Sequence, residues 1–248
     1  SIHMPDSVTS IGYNAFEGCI SLKNIRIPDS VTSIGSNAFE ECVSLKSIII
    51  PDSVTRIEGW TFYYCKSLES IIIPDSVTSI GDSAFSDCKS LININIPNGV
   101  TSIGDSAFSN CHSLTSVTIP SSVIAIGTNP FCGCPADLKN ESKAFIYEHN
   151  VLFNKDKTTL ISYRAKEANY VIPDSVTSIG EGAFLECNSL TSIIIPDSVT
   201  SIGVCAFAQC NSLTSINIPD SVTTIAIMLF TIVFRSVEQP KTIRNIQT

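Results

Sequence analysis

Residues 44–65 read S-L-K-S-I-I-I-P-D-S-V-T-R-I-E-G-W-T-F-Y-Y-C, and nearly the same text recurs along most of the chain. Prolines mark the beat: Pro5, Pro28, Pro51, Pro74, Pro97 and Pro120 fall 23 residues apart, and after an interruption the beat resumes at Pro173, Pro196 and Pro219. Self-similarity at a fixed short period is the signature of a stacked-repeat architecture, because one such unit cannot bury its apolar side alone. The nine copies therefore predict one elongated solenoid. Several small globular domains would need linkers, and the text offers none.

Each part of the unit has a physical reading. Leu45, Ile48 and Ile50 have the spacing of a short strand whose alternate residues enter a core. Pro51 cannot donate a ladder hydrogen bond and closes that strand. Asp52 and Ser53 are turn formers, and the Ser found there in eight of the nine units is placed to hydrogen-bond its neighbour's backbone. Val54 and Ile57 return to the core on an opposite wall. A glycine follows in seven of the nine copies and suits a turn that needs positive φ, although Glu58 and Ala226 depart from it. The x-x-A-F-x-x-C segment reads as a helical turn with Phe and Cys on its buried side. Strands about 4.8 Å apart predict a parallel sheet roughly 40 Å long.

Composition is consistent with this. Apolar residues make up 44% and charged residues 15%, which excludes a disordered tail or a coiled coil. The net charge of −8, with no basic block, argues against a nucleic-acid surface. No run of about 18 apolar residues offers a membrane span. The first residues do not have the pattern of a secretory signal.

Few residues invite chemistry. Eight of the ten cysteines (Cys19, Cys42, Cys65, Cys88, Cys111, Cys134, Cys187 and Cys210) share one column of the unit. Stacking sets their Cβ vectors parallel, whereas a disulfide needs them facing, so an inert buried column is expected. Only Cys132 and Cys205 lie off it, and Cys132-Gly133-Cys134 lacks a second ligand pair at zinc-like spacing. The Asp after each Pro (Asp6, Asp29, Asp52, Asp75, Asp174, Asp197, Asp220) forms a row suited to solvated turns more than to Ca²⁺. His3, His112 and His149 have no partners at catalytic spacing. No metal, no cofactor and no catalytic activity is expected.

The copies I-P-D-S-V-T-S-I-G-x-x-A-F-x-x-C-x-S-L resemble the BspA-like, Treponema pallidum-type class of leucine-rich repeats, from about Met4 to Phe234. That resemblance implies a leucine-rich-repeat solenoid of α/β type, with short parallel strands and helical turns. It also implies a surface-exposed or secreted protein of the kind found in oral bacteria and mucosal protist parasites, adhering to host cells and extracellular-matrix proteins.

Three regions depart from a uniform array. Outward strand positions form two rows, and in the second, Ile49 and Ile72 stand side by side as an apolar strip of the kind that marks interaction sites. In the same copy Trp60 is followed at i+3 and i+4 by Tyr63 and Tyr64, which on a helical turn share a face and make binding anchors. The interruption, taken as 135–172, carries a predicted hairpin around Asn154-Lys155-Asp156-Lys157 that either contacts a partner or is a tolerated insertion. Asn140-Glu141-Ser142 is a glycosylation sequon. The last copy, from 222 onward, is degenerate, and its tail or a second copy of the chain is expected to cover that end. The domain prediction is thus a single solenoid over 1–248. Its expected role is non-catalytic binding of a protein partner, with a ligand-free structural spacer as the alternative.

Overall fold

The structure, a computed structural model, describes residues 2–226. The chain coils as a β-solenoid whose every turn has three walls. Strands such as Ser47–Ile49 and Ser70–Ile72 form the first wall, pairing in parallel one period apart. Strands such as Arg56–Ile57, Ser79–Ile80, Ser102–Ile103 and Ala125–Ile126 form the second, as a four-stranded parallel sheet. A turn segment makes the third. Leu45, Ile48, Ile50, Val54, Ile57, Phe62 and Cys65 are all buried, so the core columns lie where the 23-residue pattern sets them.

The third wall corrects the sequence reading, because no helix occurs among the described residues. Alternate N–H groups bond to the next coil instead of back along the segment. Trp60, Phe62 and Tyr64 donate to the carbonyls of Asp82, Ala84 and Ser86 at 2.8, 2.9 and 2.9 Å. The intervening Tyr63 and Cys65 close β-turns onto Trp60 and Phe62 at 3.0 and 3.2 Å. The cause is a pair of left-handed residues four apart in each coil, such as Asn14 (φ 57°) with Gly18 (φ 66°), or Trp60 (φ 56°) with Tyr64 (φ 60°). A left-handed residue breaks the α run and swings the following N–H out toward the neighbour.

The glycine column also differs from the expectation. Among the glycines, positive φ occurs only at Gly18, Gly133 and Gly182, none of them in that column. The column exists because successive coils nearly touch there. A Cβ on Gly81 would lie 2.5 Å from the Gly59 nitrogen, and one on Gly203 would lie 2.5 Å from the Glu181 nitrogen. Only glycine lets the backbones approach so closely.

Several ladders tie the coils together. Phe16, Phe39, Phe62, Phe85, Phe108 and Phe131 stack with ring centroids 5.2–5.6 Å apart. The repeat serines bond as the sequence predicts: Ser30, Ser53, Ser76, Ser122, Ser198 and Ser221 donate to the Val carbonyl of the preceding coil at 2.6–2.9 Å. Polar groups satisfied by the neighbouring coil make the stack specific in register as well as stable.

The interruption is a joint between two cores. Strand Asp137–Asn140 continues the first wall, parallel to Ser116–Ile119. Three strands, Phe145–Glu148, Val151–Asn154 and Thr159–Tyr163, then run antiparallel to one another. The last of them pairs in parallel with Ser178–Ile179 and opens a six-stranded sheet. Leu152 packs into the N-terminal core, while Val151 and Phe153 pack into the C-terminal one. This alternation follows from the two-residue period of a strand. These strands are therefore built in between the cores, with the turn residues Lys155 and Asp156 exposed. Polar bonds fasten the joint: Asn129 Nδ2 donates to the Gly182 carbonyl at 2.6 Å, and Ser162 Oγ donates to Asn129 Oδ1. The Arg164 guanidinium reaches the carbonyls of Phe131, Cys134 and Ala136 at 2.9, 3.1 and 2.8 Å. The expectations for the last copy beyond Ala226, for its tail and for chain pairing through that end fall outside the described residues.

Candidate functional site

The first wall presents its outward rows as the pattern predicts. Asn24, Ser47, Ser70, Asn93, Ser116, Asn169, Ser192 and Ser215 are all exposed. In the second row Ile49 and Ile72 are 63% and 59% exposed and stand in direct register. Their backbones alternate with the buried Ile48, Ile50, Ile71 and Ile73, so the two side chains cannot reach the core without flipping the strand. A second pair, Val171 and Ile194, repeats this arrangement in register beyond the joint, at 61% and 60% exposure. Sequence reasoning did not single these two out; reading the outward row as adjacent pairs would have found them. Charge beside the first pair is weak: Lys46 and Glu69 meet at 3.6 Å, but both are largely solvated.

Trp60, Tyr63 and Tyr64 do not form one cluster, because the segment is not helical. Tyr63 and Tyr64 stack with centroids 5.9 Å apart, and Lys66 Nζ sits 3.9 Å over the Tyr64 ring. Burial and then the nearby carboxylates of Asp87 and Glu40 push the Tyr63 phenol above its ordinary pKa. Trp60, 43% exposed, instead borders an open depression of about 320 Å³ over the second wall. Arg56 and Glu58 border it too, joined by a 3.4 Å ion pair, together with Ser79, Asp82 and Ser102. The strip Ile49–Ile72 lies on a different wall, so the candidate residues divide into three separate features.

The cysteine column holds no disulfide: all ten cysteines are free. Five of the thiols in the column have a structural task. Cys42, Cys65, Cys88 and Cys111 donate to the Phe carbonyl of the preceding coil at 3.1–3.2 Å, and Cys210 does so at 3.0 Å. Burial pushes Cys42 and Cys132 up to about 12, which keeps them as unreactive thiols at neutral pH. Cys132, Cys134 and Cys187 line a cleft of about 560 Å³ at the joint.

The other residues that invite chemistry are dispersed. The Asp column and all three histidines are exposed. No group of three or more His, Cys, Asp or Glu residues suited to a metal ion occurs among the described residues. The sequon is already engaged: Asn140 Nδ2 donates to the Ser142 and Phe145 carbonyls at 3.2 and 2.9 Å, and buried Ser142 donates to the Val123 carbonyl at 2.6 Å. Ser142 thereby takes the place of the repeat serine in the coil that the interruption begins.

A 23-residue parallel β-coil with a Phe ladder and exposed strand rows defines a leucine-rich-repeat scaffold, a class built to present surface to protein partners. More particularly, the chain belongs to the BspA type leucine rich repeat region family, whose model matches residues 1–91, 59–148 and 162–248. Among solved structures, a leucine rich cell surface protein from Faecalibacterium prausnitzii is 32% identical, with a TM-score of 0.65 over 90% of this chain and 74% of that one. The pneumococcal vaccine antigen PcpA is 28% identical, with a TM-score of 0.70 over 87% of this chain and 57% of its own. A leucine-rich repeat protein from Eubacterium ventriosum is 27% identical, with a TM-score of 0.68 over 81% of this chain and 55% of its own. Comparison with curated proteins gives no match. No helix among the described residues is long and apolar enough to cross a membrane.

Proposed function

We propose that this chain is the adhesion module of a cell-surface or secreted protein and binds host-cell or extracellular-matrix proteins without catalysis. The observation that carries this reading is the exposed pair Ile49–Ile72, set in register on the first wall beside a row of small polar groups. An aliphatic side chain held in water at such exposure gains about 1.5–3 kcal/mol when a partner covers it. Val171–Ile194 offers a second contact of the same kind beyond the joint, and multivalent contact raises avidity without any new chemistry. Surface location is supported by the cell-surface protein and the vaccine antigen to which the chain is similar.

The test is biolayer interferometry of the chain against immobilised fibronectin, fibrinogen, laminin and intact mucosal cells. Two folded variants, Ile49→Lys/Ile72→Lys and Trp60→Ala/Tyr63→Ala/Tyr64→Ala, are compared with the parent, each checked by circular dichroism. Saturable binding that one variant loses locates the face. A spacer role is favoured by the near-identity of the outward row, and silence against all four surfaces at micromolar protein would establish it in place of adhesion.

A further inference from the structure

We propose that the depression beside Trp60 is a carbohydrate site that takes a neutral hexose unit of a glycan. The inference rests on the adhesion reading only for placing the chain where glycans are met. Its own support comes from how this coil departs from the array. At the strand position where Ser10, Ser33, Ser79, Ser102, Ser178 and Ser201 recur, this coil has Arg56. At the close-approach glycine it has Glu58, and at the left-handed position, held elsewhere by the small residues Asn, Ser, Gly or Cys, it has Trp60. Those three departures converge on one depression of about 320 Å³, at the small end of ligand sites.

The chemistry of the depression selects the ligand class. Its strand side chains Ile57, Ile80 and Ile103 are each only 1% exposed, so the floor presents backbone, Ser79 and Ser102 instead of apolar side chains. A peptide anchor needs a desolvated apolar pocket, which is missing here. Arg56 is already paired with Glu58, and Asp82 adds a further carboxylate, so an anionic sugar or a phosphate meets no free cation. What is offered is one aromatic surface ringed by hydroxyls, two carboxylates and a guanidinium. A pyranose matches that set: its C–H face carries the partial positive charge that the negative face of an indole attracts, and its neighbouring hydroxyls pair with carboxylate and guanidinium groups in two-point fashion.

Trp60 is the only tryptophan in the chain, so its emission reports on this site alone. The experiment titrates the full chain with neutral oligosaccharides (chitotriose, N-acetyllactosamine, mannotriose) to about 10 mM, following Trp60 emission and the heat of binding. A saturable blue shift with at least one sugar is expected. The array itself supplies replacements that fold: Arg56→Ser and Glu58→Gly should weaken binding at least tenfold, and Trp60→Asn should abolish the calorimetric signal. Absence of any spectral change or heat with every sugar would overturn the proposal, as would binding that survives Trp60→Asn. Fibronectin stripped of its glycans separates the two readings. Undiminished capture leaves protein adhesion standing and removes the sugar site, whereas capture lost on stripping supports it.

Discussion

Substituting alanine for glycine at two equivalent positions should have opposite effects, and the contrast tests how the coils are held together. At Gly81 a new Cβ would lie 2.5 Å from the Gly59 nitrogen, 2.7 Å from the Glu58 carbonyl carbon and 2.9 Å from the Gly59 Cα. All three atoms are backbone, so no side chain can swing away. Restoring an ordinary contact of about 3.5 Å requires the coils to part by about 1 Å, which breaks the Gly81 N–H bond to the Ile57 carbonyl, now 2.8 Å long. Overpacking costs about 1–3 kcal/mol and the lost bond about 0.5–1.5 kcal/mol. Alanine returns about 0.4–1 kcal/mol by restricting the unfolded chain. The net expectation for Gly81→Ala is a loss of about 0.5–4 kcal/mol. At Gly12, in the same column, a Cβ would meet nothing within 4 Å, and the residue does not have positive φ. Only the unfolded-state term then acts, and Gly12→Ala should stabilise by about 0.4–1 kcal/mol. Urea denaturation followed by circular dichroism measures both, with equal slopes required before midpoints are compared. If the two variants agreed within about 0.5 kcal/mol, close approach would not be the reason for the glycine column.

Three further outcomes follow from the packing. Phe85→Ala opens a hole in the ring ladder between Phe62 and Phe108, each 5.5 Å away, and should cost about 3–5 kcal/mol in urea. Raised thiol pKa values predict stability that is complete below the ordinary thiol range and lost as pH climbs from about 8.5 toward 12, because only the unfolded chain ionises in that window. Each such thiol contributes a slope of about 1.4 kcal/mol per pH unit there, so denaturation midpoints at pH 7 and 10 should differ sharply and Cys42→Ala should reduce the difference. Arg164→Ala removes three bonds to the carbonyls that end the N-terminal core, and should cost about 2–4 kcal/mol and separate unfolding into two transitions; a single unbroken transition would mean the cores are coupled elsewhere.

The sequence made one layer of this structure readable and hid another. A column that repeats every 23 residues needs only periodicity to reveal its side, so the Leu, Ile, Val, Phe and Cys columns were identified as core, and the serine bonds followed from the stacking they imply. The third wall was misread because Phe and Cys three apart fit both a helical turn and a pair of β-turns. The distinguishing signal was present at Asn14 with Gly18 and Asn129 with Gly133: residues tolerant of left-handed φ, four apart. The glycine column failed for a different reason, since its cause lies in the neighbouring coil and not in its own dihedrals. Likewise Asn129 and Arg164 act across 53 and 33 residues of sequence, and no local pattern announces such partners.

The departures in the coil 51–65 carry more weight than the same residues would in an ordinary domain. In an array of near-copies, every column states which residue the fold tolerates at least cost, so a departure can be weighed against that internal standard. Trp60 and Tyr64 hold left-handed φ in columns that elsewhere hold Asn, Gly, Ser, Cys, Asp, Glu or Gln, at a cost of order 1–2 kcal/mol each. Glu58 gives up the glycine of the close-approach column, and Gly59 follows it with its Cβ direction 3.2 Å from the Asp82 carbonyl. Left-handed φ at residues other than Asn and Gly recurs along the array, as at Ser83 and Ser106, so the weight falls on the convergence of Arg56, Glu58 and Trp60 on a single depression. Departures from a tolerated column that meet at one place are the pattern expected of a functional site. The strip Ile49–Ile72 stands on another wall, so removing it and removing Trp60 should affect binding independently, and the free-energy effects of the two variants should add.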